Sequence, residues 1–457
     1  FIFNIEENNF NFKDISFDTN NINFLSDRLD IKKDKKDYLL EGSLRNKKSL
    51  LNDQILQVIK LKYPQFDLIN TEFESKNDFS FNIYDRFKVK NLSINSSILI
   101  NNSQLKRNNL IDKNFIEINE FIDLKDHEIK ASYSNKKLSI EGKGQVKLQN
   151  KFELINYKAN NNDSNLNLVS NIELSEIDLK NQNLIKKYFP NTKNILNLKD
   201  HKVNINYKND TLSLKGLGKV KLENEFNKIG YSFSKKNKEY NFETDLEVND
   251  APLQIDIINY EKNKKLNSQL KIIGSYTKKI GLDLKKISLI SKNNRIIINN
   301  LTLDNKNKIV KVDKIDLDYF DNSEKRNEFV LNRIKNNYYE LSGSLLNANP
   351  IITSLLESKD DQQLNIFREN MNISLNFSKV YLDSYNAVKN LKGQFQIIDN
   401  KIDQANVFAK FDDNKNLTFT INTKNDEKIT TLFSSKAKPL VKRYKFIKGF
   451  EDSSEGY

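Results

Sequence analysis

LKDHEIKASYSNKKLSIEGKGQVKLQNKF, residues 124–152, returns 74 positions later as LKDHKVNINYKNDTLSLKGLGKVKLENEF, residues 198–226. In the first copy the even positions from 138 to 148 are apolar or glycine, and the odd positions between them are polar or charged. Strict alternation of period two is typical of β-strands with one apolar and one solvated face. The paired glycines at 142 and 144 would weaken a helix, whereas in a strand they indicate a bulge or a close approach. The repeat therefore predicts a β protein.

The similarity between the copies extends beyond the quoted stretch. Leu179 is matched by Leu253, so the duplicated unit covers 124–180 and 198–254. The same alternation continues through the last third of the chain, with Asn-, Lys- and Asp-rich turns between the strands. We expect about 25 to 30 strands, mostly antiparallel and consecutive, which makes the fold class mainly β. The expected architecture is a long, repetitive, curled sheet that forms an open apolar groove, with a few short helices.

Few segments show helical signals. The predicted helices cover 49–64, 181–190, 349–358 and 435–449, and each has apolar residues at helical spacing or a cap residue. No linker rich in Pro, Gly or Ser interrupts the chain. We therefore interpret residues 1–457 as one continuous repetitive β region, taken from a longer chain.

The composition argues against several functional classes. The net charge is +13, but Lys is spread along the whole chain and Arg, the usual base reader, supplies only nine of the 74 basic residues. Lys, Asn and Ile have A/T-rich codons, so codon bias accounts for much of the charge, and we do not expect nucleic-acid binding. The absence of Cys excludes disulfides, thiolate metal sites and a Cys nucleophile. No apolar run has the roughly 18 residues that a transmembrane helix needs.

The two histidines of the chain, His127 and His201, occupy the same place in the two copies. A metal site usually needs three or more convergent ligands, and the neighbours of each His are Lys and Asp. We interpret both as turn residues that were copied with the repeat, and we expect them to be replaceable like surface residues. Because catalytic motifs are absent as well, the sequence predicts no enzyme, no cofactor and no metal site.

The remaining candidate is the apolar face itself, which could be the filled core of a sandwich or solenoid, or the lining of an open groove. Periodicity alone does not separate these two possibilities. The candidate lining residues are Leu138, Ile140, Val146, Leu148, Phe152, Leu212, Leu214, Val220, Leu222, Phe226, Ile373, Leu375, Phe377, Leu417, Phe419 and Ile421.

The C-terminal region, 390–457, resembles a known family. A strand pair with Gly393, Phe395 and Ile397 precedes the strand from Leu417 to Ile421, and a Leu-bearing helical stretch then closes on Gly449. This strand–strand–helix order resembles the AsmA-like envelope proteins, in particular the branch of YhdP and TamB.

The resemblance implies a bridge-like lipid-transfer protein of the Gram-negative periplasm, tethered to the inner membrane by an N-terminal helix outside this sequence. Its implied partner is phospholipid, which would move between the inner and outer membranes along the apolar groove without catalysis. Two alternatives remain: a structural or adhesive β-solenoid with a filled core, and a scaffold that assists assembly of outer-membrane proteins.

Overall fold

The structure is a computed structural model that describes residues 2–6, 8–19, 21–34, 37–51, 67–106, 119–162, 165–180, 183–262, 266–357, 370–399, 401–424 and 427–436. The predicted fold class is confirmed: twenty-five strands form one mostly antiparallel sheet that is not closed into a barrel. A separate pair of short strands, two short α-helices and two 3-10 helices, Asp85–Phe87 and Asp256–Ile258, complete the regular structure of the described residues.

The chain divides into two compact units. The first comprises residues 1–182, 193–221 and 230–237. Its strands are β1 (Ile2–Glu6), β2 (Asn9–Thr19), β3 (Ile22–Asp34), β4 (Asp37–Leu50), β5 (Asp67–Tyr84), β6 (Lys88–Lys106), β7 (Phe121–Ser134), β8 (Lys137–Lys147), β9 (Phe152–Asn162), β10 (Asn165–Lys180), β11 (Ile195–Lys208) and β12 (Thr211–Lys221). Each pairs antiparallel with the next along the chain.

The second unit comprises residues 183–192, 222–229 and 238–457, so that strand β13 (Phe226–Lys236) is divided between the units. Its helices are α1 (Asn183–Tyr188) and α2 (Asn349–Glu357). Its other strands are β14 (Glu239–Val248), β15 (Leu253–Ile255), β16 (Tyr260–Lys262), β17 (Ser268–Thr277), β18 (Gly281–Ser291), β19 (Arg295–Leu303), β20 (Ile309–Phe320), β21 (Arg326–Lys335), β22 (Tyr338–Asn347), β23 (Met371–Tyr381), β24 (Ala387–Ile398), β25 (Lys401–Lys410), β26 (Asn416–Lys424) and β27 (Glu427–Ser434).

Short turns with left-handed residues join many of these strands. Between β7 and β8 the two linking residues, Asn135 and Lys136, have φ of 49° and 63°. Between β11 and β12 the linking residues Asn209 and Asp210 have φ of 48° and 56°. Two positive-φ residues in a two-residue loop are the requirement of a tight hairpin whose twist matches that of its strands. The Asn-rich turns of the sequence thus explain why neighbouring strands are antiparallel.

One pair of neighbours departs from this rule, because β22 and β23 run parallel. Parallel neighbours need a crossover connection, since the chain must return to the starting end of the first strand. Helix α2 begins that connection directly after β22.

Two of the predicted helices are found, as α1 within 181–190 and as α2 within 349–358. In the predicted helix 49–64, the described residues 49 and 50 belong to β4, and 52–64 lie outside the described residues. The helix predicted for 435–449, which carries part of the family resemblance, also lies outside them beyond residue 436.

Candidate functional site: the apolar face and its histidine–tyrosine clusters

Both copies of the repeat contain a β-bulge next to the histidine. Asp126 and Asp200 have φ of 53° and 55°, in the left-handed region that Asp tolerates better than most residues. The pairing register shifts between Lys125 and Glu128 on β7, so two residues there oppose one residue of β8. A bulge of this kind inserts one extra residue and re-aims the side chains that follow. The sequence LKDH therefore puts Leu and His on the same face.

The bulge places each imidazole between a backbone carbonyl and a tyrosine. His127 Nε2 lies 2.9 Å from the Gln145 carbonyl oxygen, and its Nδ1 lies 3.2 Å from the Tyr157 hydroxyl. In the second copy the distances are 2.9 Å from His201 Nε2 to the Lys219 oxygen and 3.1 Å from its Nδ1 to the Tyr231 hydroxyl. Because a carbonyl only accepts, Nε2 carries the proton and the tyrosine hydroxyl donates to Nδ1. Each ring is thus neutral and both of its nitrogens are hydrogen-bonded.

These rings explain the Gly-x-Gly pairs on β8 and β12. A Cβ atom at Gly142 would overlap the ring of Tyr157, and one at Gly144 would overlap the ring of His127. Gly216 and Gly218 stand in the same relation to the second Tyr and His. The glycines are therefore sites of close approach, as the sequence indicates, and the two aromatic rings take the space that side chains would fill.

Burial sets the protonation of the cluster. Desolvation lowers the pKa of His127 and of His201 below the usual value of 6.5, although a backbone hydrogen bond and a nearby Asp act in the opposite direction. Burial raises the pKa of Tyr157 to about 12 and also raises that of Tyr231. The groups are neutral near pH 7, and neither imidazole has a lone pair free for a metal or a substrate.

The interpretation of the histidines as turn residues at the surface is therefore wrong. His127 and His201 lie within strands and are 4 % and 1 % exposed. The sequence contains the signals that connect His, Gly-x-Gly and Tyr, since all of them recur at the same spacing. Which of them touch depends on the register of three neighbouring strands, and this is why sequence reasoning missed the cluster.

Most candidate lining residues of the two repeat copies do share one face. The strand registers pair Leu138 with Tyr133, Ile140 with Ala131 and Val146 with Leu124. In the second copy Leu212 pairs with Tyr207, Leu214 with Ile205 and Val220 with Leu198. Leu148 follows the end of β8 and packs against the pair Ile122 and Val146, and Leu222, which follows β12, is 4 % exposed.

Two phenylalanines do not belong to this face. Phe152 pairs with Lys147, whereas Val146 pairs with Glu153, so Phe152 lies on the opposite face and is 43 % exposed. Phe226 is 36 % exposed, and its neighbour Asn227 is fully buried. The correction has a simple cause: the turns at 148–151 and 222–225 interrupt the strands, so the even–odd pattern does not keep its phase across them.

The face is not equally closed along the chain. Across β6–β8, Ile98, Ile129 and Ile140 are half-buried, whereas Ile122 and Val146 on the same face are buried. In the second unit Phe377, Val380, Val388, Ala409, Phe411 and Leu417 form a fully buried cluster. Ile373 packs against a second cluster around Val312 and Met371, Ile421 is buried, and Leu375 and Phe419 are half-buried.

The structure also contains a recurring buried polar contact that the sequence reasoning missed. It joins the second residue of β9, β13 or β21 to a backbone N–H that lies in the following strand or directly after it. Glu153 accepts from the Ser175 N–H at 2.8 Å, Asn227 from Asn249 at 2.9 Å, and Asn327 from Asn347 at 2.8 Å. We call these three contacts the polar braces. Each gives a backbone donor a partner, and at Asn347, which is buried, that donor would otherwise be left unsatisfied.

A buried lysine stands beside the second brace. Lys262 is 1 % exposed, and its Nζ donates to the carbonyls of Asn249 and Ala251 at 2.9 and 3.2 Å. Burial lowers its pKa, while the charge of Asp250 acts in the opposite direction. Because the ammonium group is engaged with two carbonyls, it holds the loop after β14 rather than a ligand.

No protein-family model and no curated protein sequence matches the chain. Over the described ranges, no group of three or more His, Cys, Asp or Glu residues could hold a metal ion. Among the helices of the described residues, none is long and apolar enough to cross a membrane.

Proposed function

We propose that the chain is a non-enzymatic lipid conduit that carries phospholipid tails along the apolar face of its first unit. The observation that supports this proposal most is the half-burial of a group of apolar residues on β6, β7, β8 and β12, although Ile122, Val146 and Val220 on the same face are buried. Ile98, Ile129, Ile140 and Leu214 face the same side as the histidine clusters, yet none of them is fully buried. A filled protein core would bury such residues, whereas a lining for another apolar molecule leaves them partly exposed.

The energetics favour a continuous apolar lining for this task. Each methylene that leaves an apolar environment for water costs about 0.8 kcal/mol, so extracting a two-chain lipid of about 30 methylenes costs on the order of 20 kcal/mol. A lining that shelters the tails throughout removes most of that barrier. Leu, Ile and Val serve equally well, and no catalytic residue is needed.

Under this proposal the chain acts in the periplasm of a Gram-negative bacterium, between the inner and outer membranes. Contacts with the membranes would come from regions that this sequence does not contain. The resemblance of residues 390–457 to the AsmA-like proteins points the same way, toward the YhdP and TamB branch.

A structural β-solenoid with a filled core is the second candidate, and the second unit favours it. Phe377 is 1 % exposed and its ring packs edge-on against Phe329, with 6.1 Å between the ring centroids. The strands β23–β26 thus bury their apolar residues against one another. If the first unit behaved in the same way in solution, the chain would be a structural element without lipid.

Site-specific photo-crosslinking in cells separates the two candidates. A photo-reactive residue at 140 or 214 lies on the apolar face, and the matched controls at 139 and 213 lie one position away on the opposite face of the same strands. We expect lipid adducts from 140 and 214 and none from 139 and 213. Adducts with protein alone from 140 and 214 would support the filled core. Equal lipid capture at all four positions would indicate nonspecific adsorption of lipid to the protein surface rather than a conduit.

A further inference from the structure

The polar face of the first unit contains an open channel of about 1270 Å³ that crosses strands β4–β10. On each of the strands β4–β9, the channel is lined by the residue just before and the residue just after a position on the apolar face. Ile98, Ile129 and Tyr157 are three such positions. Neighbouring residues of a strand point to opposite faces, so these flanking side chains all stand on the polar face. They form the two walls of the channel.

The pairing registers order the walls into two rows. The first row is Arg45, Lys76, Ser97, Lys130, Glu141 and Lys158. The second row is Lys47, Glu74, Leu99, Glu128, Lys143 and Asn156. With Lys48 included, seven basic side chains line the channel against three acidic ones.

Several of these charges are paired with each other or with residues just outside the channel. Lys143 Nζ lies 2.9 Å from Glu128, and Lys158 Nζ lies 3.9 Å from Glu141. Arg45 and Lys48 reach Asp27 and Glu72 at 2.9 and 2.8 Å. Cross-strand pairing of opposite charges is therefore the usual state of this face.

Three lysines on β4, β5 and β7 depart from that state. Within the described part of the chain, Lys47, Lys76 and Lys130 have no acidic group within 4.0 Å. Lys76 and Lys130 flank Ser97 across β5, β6 and β7, which puts their backbones roughly 10 Å apart. Since a lysine side chain extends several ångströms, both ammonium groups can reach one anion above the Ser97 hydroxyl.

We propose that the part of the channel on β4–β7, with Lys76 and Lys130 on either side of Ser97 and Lys47 on β4, binds a multivalent phosphate-type anion. Three unpaired cations against the single unpaired carboxylate of Glu74 leave a local positive charge that an anion with several negative groups can neutralise. The site lies on the face opposite the apolar one. It is therefore independent of the lipid conduit and of the filled-core alternative.

Binding of inositol hexakisphosphate to the full chain tests the proposal, measured by isothermal titration calorimetry at about 50 mM salt. The test variant is Lys76→Gln with Lys130→Gln. The matched control is Lys202→Gln with Lys215→Gln, which removes two exposed lysines from the polar face of β11 and β12. We expect the test variant to bind about tenfold more weakly or worse, and the control to bind within about twofold of the parent chain.

A second arm identifies the source of the anion. Vesicles of neutral phospholipid, alone and with a multiply charged anionic lipid, are assayed by co-flotation with the same variants. Binding to anionic vesicles that is lost only in the test variant supports the site and names a lipid headgroup as its ligand. An equal loss of affinity in the test and control variants would mean that the anion binds through the overall positive charge of the surface. No binding to either probe would mean that there is no site. Each of these results overturns the proposal.

Discussion

The glycine of each histidine cluster offers a sharp test of the packing described above. A methyl group at residue 144 would occupy the volume of the His127 ring, which two hydrogen bonds hold in place. Overpacking a close-packed site costs about 1–3 kcal/mol, and displacing the ring weakens hydrogen bonds of about 1 kcal/mol each. We therefore expect Gly144→Ala to lower the free energy of unfolding by about 2–4 kcal/mol.

The matched control is Gly230→Ala. A Cβ atom there would meet only Leu217 Cδ1 at 3.8 Å, which is ordinary van der Waals contact. Because alanine also reduces the freedom of the unfolded chain, this change should be neutral or slightly stabilising. The measurement is the urea midpoint followed by far-ultraviolet circular dichroism, together with hydrogen exchange of the peptide that contains β8.

A double-mutant cycle then isolates the contact between the two residues. His127→Ala removes the ring and leaves the Gln145 carbonyl and the Tyr157 hydroxyl without this partner, so it is destabilising alone. In that background Gly144→Ala should cost almost nothing, giving a coupling energy of about 2–4 kcal/mol. The reasoning is refuted if Gly144→Ala is as harmless as the control, or if it destabilises both backgrounds equally.

Three further predictions follow from the same geometry. In the folded chain the pKa of both histidines lies below 6.5, so as the pH falls through 6.5 these histidines take up protons in the unfolded chain before they do so in the folded one. The free energy of unfolding should therefore decrease there. A variant with both histidines replaced by Asn should lack this decrease in urea midpoints measured between pH 7 and 5. Asn327→Ala should destabilise by about 1–3 kcal/mol, since the buried Asn347 N–H loses its acceptor, and an unchanged thermal midpoint would contradict the structural role of the polar brace. Phe377→Ala should cost about 3–5 kcal/mol because it empties part of a fully buried cluster, and a loss below about 1 kcal/mol in denaturant titration would mean that the second unit is not packed as described.

The sequence by itself determined the strands and most of their connections. Period-two alternation requires an extended backbone with two different faces, and Asn-rich turns such as 135–136 require antiparallel neighbours. The glycines of β8 and β12 were also readable as places of close approach, because glycine is otherwise unfavourable inside a strand.

Tertiary structure decided which side chains share a face and how far that face is closed. The bulges at Asp126 and Asp200 and the breaks before Phe152 and Phe226 each shift the alternation by a residue, and such shifts depend on pairing with other strands. The same pairing brings His127 onto Gly144 and beneath Tyr157, three residues from three strands. It also buries Phe377 while leaving Ile140 half-exposed, although both occupy apolar positions of the same alternating pattern. Local periodicity fixes the direction of a side chain relative to its own strand, whereas burial depends on what the other strands bring opposite it.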